Sequence, residues 1–284
     1  MNGMMTSEQL KTSAPRPQIT LMGVQIDAIT ETQCITRIMT ELAQGRQSGH
    51  GSDHAGGGGW VVTANVDHLR RLTKLPDYRA LCQPASLITA DGTPLLWAAR
   101  LQRTPLPERV TGSNLIWSLT AAAARDGRSI YLLGGAPGSA EGASQVLQQK
   151  YPGLRVVGTA CPPFGFERDP AQMAAIRERL LATRPDIVYV ALGSPKQERF
   201  IAEFRQLLPG AWWLGVGISF SFVNGDVARA PQWMQRCGLE WVHRLCQEPK
   251  RLARRYLMED LVFALGLLLR LGTARLFGTG KPAS

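Results

Sequence analysis

Cysteine is sparse and unpatterned in this chain of 284 residues: the five (Cys34, Cys82, Cys161, Cys237, Cys246) are odd in number and show no C-x-x-C spacing. That excludes a disulfide framework and a Cys-ligated structural zinc, and it fits a reducing cytoplasm. All five are expected to serve as small buried hydrophobes. Histidine is scarcer, with four residues (His50, His54, His68, His243), none having a Ser, Cys or metal-ligand partner at useful spacing. Long apolar runs are missing too. The longest, Leu261–Leu269 with Gly266 counted, falls well short of the roughly 20 residues that span a bilayer. The polar N-terminus has no apolar signal region, so neither secretion nor a membrane crossing is expected. Acidic residues are few, 22 against 32 Lys/Arg.

The resulting net charge of +10 calls for an anionic partner: nucleic acid, anionic lipid or a phosphorylated substrate. Nine Lys/Arg and four acidic residues lie between Arg229 and Arg275, so half of the excess falls there. At 44% hydrophobic and 19% charged residues, the chain is not disordered throughout. Residues 1–17 read as a disordered leader, and 45–59, GRQSGHGSDHAGGGG, as a flexible Gly-rich loop rather than a histidine metal site. A strand pair around Gly23 and a helix from about Thr30 to Ala43 come between them. From Trp60 onward, short apolar runs (Trp60–Thr63, Ser86–Thr89, Ser129–Leu133, Leu154–Gly158, Asp186–Leu192, Ala211–Val216) alternate with helical segments (Thr93–Leu101, Ser113–Arg125, Ser139–Tyr151, Pro170–Thr183, Pro195–Leu208). That succession predicts an α/β fold over residues 18–230, a Rossmann-like parallel sheet with helices on both faces. No strand pattern follows Gly217, and residues 231–284 form a basic helical appendage.

In such sheets ligands bind beyond the carboxyl ends of the strands. Thr63 and Asn65 end the first strand, as ligand-binding side chains or as caps of the next helix. Asp91-Gly92 ends the second, and Asp91 is a catalytic base, a metal ligand or an N-cap ahead of Pro94. Arg109, after a Pro-containing connector, suits a phosphate or carboxylate clamp, or solvent. Gly134, Gly135 and Gly138 form a strand–turn–helix start that lets backbone approach a phosphate, although G-G-x-x-G is not the dinucleotide fingerprint. Gly193, a capping Ser194 and Pro195 at the first helical position place Lys196 and Gln197 in a first helical turn. A lysine is disfavoured there, which suggests a bound anion. Gly215 and Gly217 open the last rim.

Eleven segments in order, TANVDH, ADGTPLLWAAR, ERVTGS, LLGGAPGSAE, YPGLRVVG, PPFGF, PDIVYVALGSPKQE, GVGISFSF, RAPQWM, GLEW and EPKRLARRYL, resemble the WecG/TagA/CpsF family of bacterial glycosyltransferases (glycosyltransferase family 26) from Ile19 to about Leu257. The resemblance implies inverting transfer from a UDP-sugar to an undecaprenyl-diphosphate-linked sugar, without a metal ion or other cofactor, in cell-surface or exopolysaccharide synthesis. It implies Asp91 as general base, with Thr63, Asn65, Arg109 and Gln197 in the same pocket, and a basic C-terminal appendage that closes over the site and contacts membrane. No D-x-D pair stands at a strand end to hold a metal, so arginines or helix dipoles must offset the leaving group's charge. Many relatives read F-D-F where this chain has Phe220-Ser221-Phe222, so no donor sugar is carried over.

The tail from Leu257 to Leu276 is mostly Leu, Phe and Ala, broken by Glu259-Asp260, Arg270 and Arg275. It reads as a helix in the headgroup plane of an anionic membrane on the inner face of the cell, or as a core or oligomer-interface helix. A nucleotide-dependent oxidoreductase would share the sheet but lacks the fingerprint. A non-catalytic membrane or nucleic-acid adaptor would explain the charge but not the polar rim, and no nucleic-acid module is present.

Overall fold

A computed structural model describes residues 17–47 and 57–276. The leader before Pro17 and the centre of the Gly-rich segment, with His50 and His54, lie outside the described residues. The apolar runs become strands because only a sheet covered on both faces buries every side chain of a β-branched, aromatic-rich stretch. Strands β3 (Gly59–Ala64), β4 (Leu87–Ala90), β5 (Ser129–Gly134), β6 (Arg155–Ala160), β7 (Ile187–Ala191) and β8 (Trp212–Gly215) form one parallel sheet in the order β4-β3-β8-β7-β5-β6. An antiparallel hairpin, β1 (Gln18–Leu21) and β2 (Val24–Asp27), precedes it.

Alternation along the strands divides the core in two, since successive side chains point to opposite faces. Trp60, Val62, Tyr131, Leu133, Val188, Val190 and Trp213 face one core. Val61, Ile130, Leu132, Ile187, Tyr189, Trp212 and Leu214 face the other. The first core is covered by the hairpin with α2 (Val66–Lys74), α3 (Pro76–Cys82), α4 (Thr93–Leu101), α7 (Pro170–Thr183) and α8 (Lys196–Phe204). The second is covered by α1 (Glu31–Gln47), α5 (Gly112–Arg125), α6 (Ser139–Lys150) and the short α9 (Ser219–Val223).

The remaining helices are α10 (Gln232–Arg236), α11 (Glu240–Gln247), α12 (Pro249–Ala253) and α13 (Leu261–Leu276), the last two joined by a π-helical stretch, Arg254–Asp260. Phe263 and Leu267 bring α13 into the first core, and α13 packs on α4. The core alternative for this helix therefore holds for one of its faces. The opposite face carries Val262, Leu265 and Leu269, all exposed, as is Met258 on the π-helical stretch before it. No helix among the described residues is long and apolar enough to cross a membrane.

Four expectations change. Helix α1 runs on to Gln47, and its last turns meet Gly57, where a Cβ would stand 1.8 Å from the Glu41 carbonyl oxygen. The glycines flanking the loop are therefore packed against the fold rather than filler. The helix expected after Asn65 is α2, with Asn65 as its cap, and α3 follows it as a second helix that the sequence pattern does not mark. Ser194 does not cap α8, whose N-cap is Pro195. Finally, only Cys34 and Cys82 are buried. Cys161 is half-buried, while Cys237 and Cys246 are exposed because they lie on or beside α10 and α11, which cover the domain with one face only.

Candidate functional site

Six of these parallel strands send their carboxyl ends to one edge, and five of the loops that follow them open onto a single cleft of about 520 Å³. Thr63 near the end of β3, Asn65 after it, Asp91 after β4, Gly135 after β5, Gly193, Ser194 and Gln197 after β7, and Gly217 after β8 all line it. Arg109, from the connector before α5, joins them.

Asp91 stands where β4 ends, its main-chain N–H donating to the Ala64 carbonyl at 2.8 Å. It is not the cap of α4. That place belongs to Gly92, and no side chain bonds the first turn. Its carboxylate makes no hydrogen bond among the described residues and stands half-buried on the cleft floor. Burial pushes its carboxyl up to about 6, against the pull of Arg109, His68 and Arg229 and with the push of Glu240. A carboxylate of this kind is ready to take a proton near neutral pH and is unoccupied by internal partners.

Asn65 is both lining and cap. Its Oδ1 accepts the His68 main-chain N–H at 3.1 Å and lies 2.8 Å from His68 Nδ1. The other ring nitrogen, Nε2, lies 3.2 Å from Glu198 Oε1, which also accepts from Gln197 Nε2 at 2.8 Å. Both ring nitrogens of buried His68 thus face acceptors, and a ring that donates from both is an imidazolium. Burial alone would push its pKa down, but the hydrogen bond and charge of Glu198, with Asp67 and Asp91, hold it above the usual value. Glu198 is held below the usual carboxylate range despite its burial, by the His68 hydrogen bond and charge and by Gln197 and Ser194.

Gln197 also reaches the neighbouring loop, its Oε1 accepting the Gly217 N–H at 3.2 Å. A Cβ at Gly215 beneath it would stand 2.6 Å from the Gln197 amide nitrogen, so a larger residue there would displace the Gln197 side chain. The loops after β3, β7 and β8 are thereby fastened into one rigid rim.

The fourth wall comes from the C-terminal helices. Glu240, in the first turn of α11, bridges two arginines: Arg109 Nη1 at 3.0 Å and Arg229 Nε at 3.2 Å. One turn on, Arg244 pairs with Glu248 at 2.7 Å, stacks 5.4 Å over the Phe222 ring, and keeps Nη1 buried without a partner. Arg255 and Tyr256, on the π-helical stretch, line the cleft as well. That stretch is tied down through α2: Arg70 meets Asp67 at 2.7 Å, Glu259 at 2.6 Å and Asp260 at 3.5 Å.

Two expected ligand contacts are not brought to the cleft. Lys196 turns away, pairing with Glu167 at 2.6 Å and lying 4.4 Å over the Phe164 ring, so a side chain rather than a bound anion offsets its place in the first turn of α8. Gly134 is packed at the end of β5 against the Ala191 carbonyl, and Gly135 and Ala136 form the rim instead. Ser221 is buried and lines the cleft. The His68–Glu198 pair and Glu240 were not singled out in the sequence. Their partners lie 130 and 131 residues away, and only the fold brings them together.

The family model described as "Glycosyl transferase WecG/TagA/CpsF family" matches residues 19–275. The chain is similar to an N-acetylglucosaminyldiphosphoundecaprenol N-acetyl-beta-D-mannosaminyltransferase of Bacillus spizizenii, 32% identical over 197 residues, 69% of this chain and 74% of that protein. A protein of the same description from Bacillus subtilis is also 32% identical over 197 residues, covering 75% of its length. An oxidoreductase and a non-catalytic adaptor are set aside by these matches, and the chain belongs to the WecG/TagA/CpsF family of glycosyltransferases.

Proposed function

We propose that this enzyme transfers a sugar from a UDP-sugar to a polyprenyl-diphosphate-linked sugar, by single displacement with inversion, and that Asp91 is the general base. The observation that carries the reading is the unpaired Asp91 carboxylate, with its raised pKa, on the floor of a cleft walled by arginines. The acceptor hydroxyl oxygen attacks the anomeric carbon while its proton passes to Asp91. The bond from that carbon to the diphosphate oxygen breaks, and the electron pair leaves with UDP. Negative charge then grows on the diphosphate, and Arg244, Arg255 and the N–H groups of the glycine rims stand ready to offset it. The acceptor class is carried from the names of the two Bacillus relatives.

Metal independence belongs to the same proposal. Among the described residues no group of three His, Cys, Asp or Glu side chains is placed to hold an ion. The arginines of the C-terminal wall would supply the positive charge in its stead. The exposed apolar stripe of α13, beside exposed Lys250, Arg251, Arg254 and Arg270, supports seating on an anionic membrane, on the cytoplasmic face where a UDP-sugar is available.

The test is a UDP-release screen over a panel of UDP-sugars, with N-acetylglucosaminyl diphosphate on a polyprenyl chain as acceptor. One donor is expected to give UDP release that requires the acceptor and is unchanged by EDTA. Release from no donor, or release abolished by EDTA, counts against the reading.

A further inference from the structure

Beside the main cleft lies a second cavity of about 580 Å³, between α4 and α10, that shares Thr93 and Arg109 with it. Four arginines line it (Arg100, Arg109, Arg229, Arg236) and no carboxylate does, among the described residues. Arg109 and Arg229 are held in place by Glu240, and Arg229 keeps Nη2 buried without a hydrogen-bond partner. Arg100 and Arg236 are exposed and make no ion pair among the described residues. Trp97, on the same wall, is 41% exposed. A concentration of cations around a void is unfavourable by itself, and a polyanion relieves it. Guanidinium groups suit phosphate oxygens because their paired N–H donors match them two at a time.

We infer that this second cavity seats the diphosphate of the lipid-linked acceptor. The inference rests on the reading above that the acceptor is a polyprenyl-diphosphate sugar. Such a transfer brings two diphosphates to one enzyme together, and like charges need separate cationic seats. The main cleft has Arg244 and Arg255 for the donor, and the second cavity has Arg100, Arg229 and Arg236 for the acceptor. The shared wall at Thr93 and Arg109 puts a sugar linked to the second diphosphate next to Asp91. The exposed Trp97 indole offers a flat apolar surface to that sugar or to the first isoprene units.

The probe is a water-soluble acceptor, N-acetylglucosaminyl farnesyl diphosphate, titrated by calorimetry into the full chain and into the double variant Arg100→Gln with Arg236→Gln. Loss of both cations is expected to weaken binding of the probe, and to raise its KM, about tenfold. Affinity for UDP and for phosphatidylglycerol vesicles should stay within about twofold of the parent. Equal binding of the probe by parent and variant overturns the site, as does failure of the parent to bind it. A variant weakened equally toward UDP assigns the cavity to the donor, and one that loses only vesicle binding assigns it to lipid headgroups; either overturns the proposal. If the parent binds the probe but transfers from no donor, the transferase reading falls, while the affinity comparison still decides the cavity.

Discussion

His68 is the residue whose chemistry depends most on its surroundings. Its ring faces Asn65 Oδ1 on one side and Glu198 Oε1 on the other, and neither has a proton to give in the ionised pair. At neutral pH a free imidazole is mostly uncharged. Here nitrogen-detected NMR is expected to show both ring nitrogens protonated. The stabilisation from this pair is fully present between the ordinary carboxylate value and the unfolded imidazole value of about 6.5; it is lost as pH rises through the raised His68 value and as pH falls through the lowered Glu198 value. Glu198→Gln is therefore expected to lower stability by about 3 kcal/mol in mildly acidic buffer, with the difference shrinking at alkaline pH. A single protonated nitrogen titrating near the free value contradicts the assignment. Thr63, Asn65, Asp91 and Gln197 were legible in the sequence because each lies at or soon after the carboxyl end of a strand, whereas Arg109 sits on the connector between α4 and α5. The role of His68 was not, because its acidic partner lies on another loop, brought near by sheet order. Lys196 misled for a related reason: local spacing put a cation at a helix start, and a distant carboxylate, Glu167, accounts for it.

Among the elements, the strands were the most legible, since β3, β5, β7 and β8 are buried throughout and mostly apolar. Strand order was not, because β8 returns between β3 and β7, a register that depends on long-range pairing. The C-terminal helices were read as helical, basic and partly apolar. Their second face, which closes the cleft through Glu240, Arg244 and Arg255, needed the structure. Helix α13 divides its apolar residues between the core, with Phe263 and Leu267, and the outside, with Val262, Leu265 and Leu269. Exposed apolar surface of this extent is unusual without a partner. Replacing Val262 and Leu269 together by Glu is expected to abolish co-flotation with anionic vesicles. Stability should change by no more than about 0.5 kcal/mol per site, as both side chains are exposed. Unchanged flotation would remove the stripe from membrane binding.

At the scale of the whole molecule, the net charge of +10 is spent unevenly. Part of it lines the two adjoining cavities and part surrounds the apolar stripe, an arrangement suited to an anionic donor, an anionic lipid-linked acceptor and an anionic surface together. The cleft draws on residues from Thr63 to Ala264, so its base, its rim and its C-terminal wall depend on one intact fold. Asp91 is where these parts converge: the sheet positions it, burial raises its pKa and the arginines limit that rise. The central claim is tested most directly by the pH dependence of kcat/KM for transfer, in the parent and in Asp91→Asn, with UDP affinity measured on the same preparations. Activity of the parent is expected to fall on the acid side with a midpoint of about 6, as the base becomes protonated. Asp91→Asn should lose on the order of 10²- to 10⁴-fold in turnover while UDP affinity persists. Near-normal turnover in Asp91→Asn, with the acid limb unchanged, would contradict the account.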